Sequence, residues 1–125
     1  MTTTILVVDD SISIRKMIES ALRFKGYTVA AVADGEEALE ALSREKYGLV
    51  ILDVNMPRMD GLTLLKTMRR SDEWAGVAVL MLTTEDRDED RERALALGAN
   101  AYMVKPFKPG ELLDCIARLL PNAKP

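Results

Sequence analysis

Leu49-Val50-Ile51-Leu52-Asp53-Val54-Asn55-Met56-Pro57-Arg58-Met59-Asp60-Gly61 is the stretch whose reading decides the fold. Residues 49–52 are apolar without interruption, and a short apolar run bounded by turn signals is how a strand buried on both faces reads. Pro57 and the Asp60-Gly61 pair then stop the strand and force a loop. An acid, Asp53, is left at the mouth of a dry strand, where open α/β sheets place their chemistry. Taken alone it could do no more than cap the turn, so its meaning depends on the rest of the chain.

At 125 residues the chain is long enough for one core without disulfides or a structural metal. A hydrophobic content of 48% beside 30% charged residues is ordinary for a globular protein. The formal charge of −3 offers no basic excess for binding nucleic acid. The single cysteine, Cys115, excludes an internal disulfide and reads as a buried helix-face thiol, with the cytoplasm as its expected compartment. No histidine is present, which removes histidine-based nucleophilic catalysis, His-bearing zinc sites and a phosphohistidine carrier role. The start, Met1-Thr2-Thr3-Thr4-Ile5, lacks signal-peptide character, and no apolar run approaches membrane-spanning length.

Working outward, residues 5–8 (Ile-Leu-Val-Val) form a strand ending at Asp9-Asp10. Ser11 begins a helix with Ile14, Met17, Ile18, Ala21 and Leu22 on one face and Gly26 as its stop. Residues 27–32 make a less apolar strand suited to an edge, and Asp34-Gly35 opens a helix with Ala38, Leu39 and Leu42 inward. After the central strand comes a helix turning Leu62, Leu65 and Met68 inward, then a wholly apolar strand over 77–82 that ends at Thr83-Thr84. The next helix, over 86–97, has no apolar residue in its first half; only Ala94, Leu95 and Leu97 offer burial. Residues 101–104 form the fifth strand, ending at Lys105-Pro106, and Pro109 starts an amphipathic helix with Leu112, Leu113, Ile116, Leu119 and Leu120. Five strands alternating with five helices imply a parallel sheet covered on both faces, every strand's C-terminal end on one edge. A core over about 4–120 with a loose tail at 121–125 makes the chain a single domain.

That edge gathers Asp9, Asp10, Asp53, Thr83 and Lys105. Each has a plain alternative: Asp10 or Ser11 as a helix cap, Thr83 or Thr84 with Glu85 as another, Lys105 as a solvated charge. Their coincidence at one crevice points to a site instead. Two carboxylates about 4 Å apart repel by roughly 4 kcal/mol at an effective dielectric of about 20, so three together protonate or demand cations. An all-oxygen acidic cluster suits Mg²⁺, or Mn²⁺ in its place, and the Asn55 backbone carbonyl can add a neutral ligand. With the Lys105 ammonium and the Thr83 hydroxyl, the set makes a receptor for a phosphoryl group, and Asp53 can serve as its nucleophile.

With these residues in view the chain resembles the receiver domains of two-component response regulators. The likeness is carried by Asp9-Asp10, Asp53, Met56-Pro57, Asp60-Gly61, Thr83 and Lys105-Pro106. The resemblance implies a flavodoxin-like, doubly wound (βα)5 fold with strand order 2-1-3-4-5. It implies that Asp53 is the phospho-acceptor, charged by a sensor histidine kinase, with catalysis of its own phosphotransfer and dephosphorylation but no turnover of a separate substrate. Asp10, Asp53 and the Asn55 carbonyl would hold Mg²⁺, Asp9 acting through water, while Lys105 contacts the phosphoryl oxygens and its bond to Pro106 is cis. Thr83 and Tyr102 would form the switch, and Asn55, Thr84 and Glu85 would tune the lifetime of the phosphoryl group. The output face would comprise the charged helix, the Tyr102 strand and the helix over 109–120.

Because the sequence ends soon after that helix, the expectation is a stand-alone monomer that acts by docking onto a protein. Its segments 9–16, 82–85 and 104–109 look most like chemotaxis regulators of the CheY type. The implied partners are a CheA-like kinase and a flagellar motor switch, its twitching-motility counterpart or a phosphatase. A phosphorelay intermediate passing its phosphoryl group to a histidine-phosphotransfer protein is the nearest alternative. A phosphohydrolase of the haloacid-dehalogenase type is more remote, since its acids are spaced Asp-x-Asp whereas Asp9 and Asp10 are adjacent. An Asp-Asp pair after the first strand also excludes a flavodoxin, whose flavin phosphate it would repel.

Overall fold

A computed structural model of the chain describes residues 3–56, 59–84 and 87–120. Its first half runs β1 (Thr4–Val8), α1 (Ile12–Phe24), β2 (Thr28–Val32), α2 (Gly35–Arg44) and β3 (Leu49–Asp53). Its second runs α3 (Gly61–Arg70), β4 (Ala78–Thr83), α4 (Asp88–Ala96), β5 (Ala101–Val104) and α5 (Pro109–Leu119). The strands form one parallel sheet in the order β2-β1-β3-β4-β5, the doubly wound arrangement expected. The less apolar β2 takes one edge, while β3, buried along its whole length, sits at the centre.

Strand alternation divides the core in two. Ile5, Val7, Leu49, Ile51, Leu80 and Leu82 point to the face covered by α1 and α5, where they meet Ile18, Leu22, Leu112, Cys115 and Ile116. Leu6, Val8, Val50, Leu52, Val79 and Met81 point the other way, onto Ala38, Leu42, Leu64, Leu65, Met68 and Ala94 of α2, α3 and α4. Each fully buried aliphatic side chain contributes about 1.5–3 kcal/mol, so these two layers hold the strand ends in place. Cys115 is buried and unpaired.

Helix starts are set locally. The Ser11 hydroxyl accepts from Ile14 N, Asp34 caps α2 by accepting from Glu37 N, and Asp60 caps α3 by accepting from Thr63 N. Gly26 and Gly98 take positive φ after α1 and α4, where a side chain would be strained. Three details differ from the sequence reading. In α3 Leu64 is fully buried while Leu62 is only partly so, because the helix turns its 64–65–68 stripe to the sheet. In α4, Leu95 is 44% exposed and Ala94 alone is buried. The cap of α4 is Arg87, with no side-chain hydrogen bond, rather than Thr83 or Thr84: the chain must clear the sheet edge before the helix can begin. Glu85, Pro57 and the tail at 121–125 lie outside the described residues.

Gly61 ties the loop after β3 to the strand. Its N–H donates to the Val54 carbonyl at 3.0 Å, and a Cβ there would overlap the Asp53 carbonyl oxygen and lie 2.9 Å from Val54 Cα. Both neighbours are backbone and cannot yield. We predict that Gly61→Ala destabilises the fold by about 1–3 kcal/mol, whereas Gly110→Ala, whose Cβ would meet nothing within 4 Å, is near neutral. Urea unfolding midpoints check both, and equal midpoints for the two variants would refute the argument.

Candidate functional site

Parallel strands bring four chain segments to one edge of the sheet. Asp9 follows β1, Asp53 ends β3, Thr83 ends β4 and Lys105 follows β5. Asp9 and Thr83 are fully buried and Asp53 nearly so; Asp10 is exposed. The Lys105 ammonium donates to Asp9 Oδ2 at 2.7 Å and lies 3.2 Å from Asp53 Oδ1. One oxygen each of Asp9, Asp10 and Asp53 falls within 4.8 Å of the others, a spacing and donor type that fit a hard divalent cation. The Lys105–Pro106 peptide bond is cis.

Backbone contacts orient these groups. Asp9 Oδ1 accepts from Ser11 N at 2.9 Å, and Asp53 Oδ1 accepts from Asn55 N at 3.3 Å. Arg15 of α1 donates to the Asp9 carbonyl at 2.7 Å, a contact that no spacing rule in the sequence signals because it crosses from a helix back to a strand end. Asn55 and Thr84 are exposed beside the crevice.

Burial pushes the Asp53 carboxyl up to about 6, and repulsion from Asp9 adds to this, while Lys105 and the Asn55 N–H pull the other way. Burial tends to lower the Lys105 ammonium, but its hydrogen bond to Asp9 and the charges of Asp53 and Asp9 outweigh it, so the net direction is up. The cation is thus held charged while Asp53 carries electrostatic stress that a further cation would relieve.

On the other face of the sheet, Thr83 and Tyr102 border a cleft of about 220 Å³, together with Asn55, Asp90 and Arg93. Met81 is the register partner of Tyr102, so Thr83, two residues on, lies diagonally across on the same face. The sequence reading put the charged helix on the output face but did not single out its Arg87, Asp90 and Arg93, which recur at helical spacing and line this cleft. A larger hollow of about 430 Å³, lined by Leu42, Tyr47, Trp74 and Val77, holds none of the strand-end acids.

Residues 5–117 match the family model of the response regulator receiver domain, and the chain belongs to that family. It is 41% identical to the chemotaxis response regulator CheY4 of Vibrio cholerae, with a TM-score of 0.91 over 96% of this chain and 100% of that one. The receiver domain of sensor histidine kinase PA1611 from Pseudomonas aeruginosa PAO1, solved with a magnesium ion in its active site cleft, is 33% identical with a TM-score of 0.88, over 98% of this chain and 100% of that one. Among curated relatives, the probable transcriptional regulator ycf27 of Cyanophora paradoxa is 46% identical over 93% of this chain and 47% of its own length. The chain spans about half the length of the curated relatives it matches.

A raised carboxylate makes a stability prediction. Asp53 binds its proton more tightly folded than unfolded, so its contribution is favourable below about pH 4 and is lost as pH rises through about 6. In chelator, Asp53→Asn is therefore expected to stabilise the protein at pH 7 by roughly 1–3 kcal/mol, and the gain should fade toward pH 4. Thermal melts across that range test it; a gain independent of pH would refute the origin given.

Proposed function

We propose that the chain is a phosphorylation switch in which Asp53 accepts a phosphoryl group from a sensor histidine kinase. The observation that carries this is the convergence of Asp9, Asp53 and Lys105 at one buried strand edge, with Thr83 beside them. An Asp53 oxygen attacks phosphorus, the P–N bond of the phosphohistidine breaks, and the imidazole leaves with the bonding electron pair, giving an acyl phosphate. Asp10, Asp53 and the Asn55 carbonyl would hold Mg²⁺ or Mn²⁺, with Asp9 acting through water; the close acids fit this, as does the magnesium in the PA1611 receiver. When bound, the metal supplies positive charge that screens the carboxylates from each other and from the incoming phosphoryl oxygens.

Lys105 is positioned to exchange its Asp53 contact for a phosphoryl oxygen, and Thr83 donates its hydroxyl to another. As Thr83 turns toward the phosphoryl group it leaves room on the cleft side, and Tyr102 responds on that face. Asn55, Thr84 and Glu85 tune hydrolysis of the acyl phosphate. No separate substrate is turned over. The output is protein docking at the surface of α4, β5 and α5, by a monomer in the cytoplasm. The charge of −3 speaks against direct nucleic-acid binding, and among the described residues no helix is long and apolar enough to cross a membrane.

Two outputs are weighed. Chemotaxis or motility control, with a CheA-like kinase and a motor-switch target, has behind it only the likeness to CheY4, which a shared receiver domain accounts for. Control of transcription is supported by relatives such as ycf27 and the Bacillus subtilis regulator PhoP, which this chain covers for 47% and 46% of their lengths. Relay to a histidine-phosphotransfer protein is a third route from the same chemistry. Phosphorylation-strengthened binding to a motor-switch peptide would favour the first.

Mass spectrometry after treatment with acetyl phosphate and Mg²⁺ tests the core claim. One phosphoryl group is expected on the wild type and none on Asp53→Ala; labelling of both, or of neither, would refute the assignment. Tyr102→Ala should leave labelling intact while weakening phosphorylation-dependent partner binding, and unchanged affinity would remove Tyr102 from the readout.

A further inference from the structure

The first half of α4 reads in the sequence as a solvated run of charges, yet one of its arginines reaches the sheet. The Arg91 guanidinium carbon lies 5.6 Å from the centre of the Tyr102 ring, within the range of a cation–π contact. This contact matters because α4 buries little apolar surface among the described residues. Only Ala94 is buried, and its first turn lacks a side-chain cap. Its N-terminal end is tied by the exposed Arg87–Asp90 pair at 2.9 Å, a type of contact worth little. Its C-terminal end, by contrast, is anchored: Arg69 of α3 donates to the Gly98 carbonyl at 3.0 Å and to Asn100 Oδ1 at 3.1 Å, and that same oxygen accepts from Val79 N at 2.8 Å. The helix is therefore pinned at its C-terminal end by hydrogen bonds to its flanking turn, while Arg91, nearer its start, lies over the ring that shares a cleft with Thr83.

We propose that Arg91 is a positioning residue that latches Tyr102 in its unphosphorylated place, setting how readily the switch moves. This rests on the phosphoryl-switch reading above and adds to it a specific restraint on the ring. A group that favours only one of two states shifts their ratio by its differential interaction alone. A cation–π contact at an exposed site corresponds to a factor of about two- to fivefold. By linkage, loss of the latch should tighten binding of any ligand that selects the switched state by the same factor.

The test uses the full chain labelled with 3-fluorotyrosine, with beryllofluoride and Mg²⁺ as the phosphoryl mimic and ¹⁹F NMR as the readout. Among the three tyrosines, Tyr102→Phe identifies the resonance to follow. Arg91→Gln removes the charge but keeps the stem and the helix propensity, and Arg91→Lys restores a cation. For Arg91→Gln the expected results are a half-saturating beryllofluoride concentration about two- to fivefold lower and a Tyr102 resonance, before addition, moved toward the bound position. Arg91→Lys should return both toward wild type. Unchanged resonance and affinity in Arg91→Gln, or weaker binding, would overturn the latch. A wild-type protein that ignores beryllofluoride would instead overturn the switch reading, while the resonance of the ligand-free variant would still judge the Arg91–Tyr102 contact.

Discussion

The arrangement depends most on one largely enclosed ammonium between two buried carboxylates. Lys105 stands 2.7 Å from Asp9 and 3.2 Å from Asp53 at an edge where water has been largely removed. Without that cation two acids on neighbouring strands would face each other in a medium that screens them poorly. With it, Asp9 is satisfied through both carboxylate oxygens, by Lys105 and by the Ser11 N–H, whereas Asp53, the acid proposed to accept the phosphoryl group, keeps a raised pKa.

The sheet supplies the positions. Parallel pairing places the ends of β1, β3, β4 and β5 on one edge, and alternation sorts their side chains between the two faces. Asp9, Asp53 and Lys105 share the parity of Ile5, Ile51 and Met103, which face α1 and α5. Thr83 and Tyr102 share the parity of Met81, which faces α3 and α4. Thr83 is therefore the last residue of a strand that borders the charged crevice at its tip and the α4 cleft on its side. A hydroxyl in that place borders both the crevice and the cleft, the position that the proposed switch requires.

The helix that covers the cleft side is also the least anchored by apolar contact. Its burial rests on Ala94, its start on an uncapped turn, and its end on the Arg69–Gly98–Asn100 hydrogen bonds. Low local stability belongs where a structure must rearrange. The other helices on that face, α2 and α3, each begin with a side-chain cap and bury three or more residues.

Much of this was legible in the sequence because the signals are local. The uninterrupted apolar runs at 5–8 and 49–52, the helix starts at Ser11 and Asp34, and the stop at Gly26 specify elements through near neighbours alone. The strand-end acids could be gathered on paper, since right-handed crossovers leave parallel strands one common edge. The tertiary structure alone decided which partners each group took. That Asp9 rather than Asp10 is buried, that Lys105 bridges two acids, that Arg15 holds the Asp9 carbonyl and that Arg91 lies over Tyr102 are outcomes of packing between segments distant in the chain. Charged side chains carry no periodic signature of their partner, because their energy depends on the distance and screening that the fold creates. Asp53 shows the division plainly: its place at the mouth of the central strand was written in residues 49–53, and its raised pKa came only with the burial and the neighbouring Asp9 that the sheet imposed.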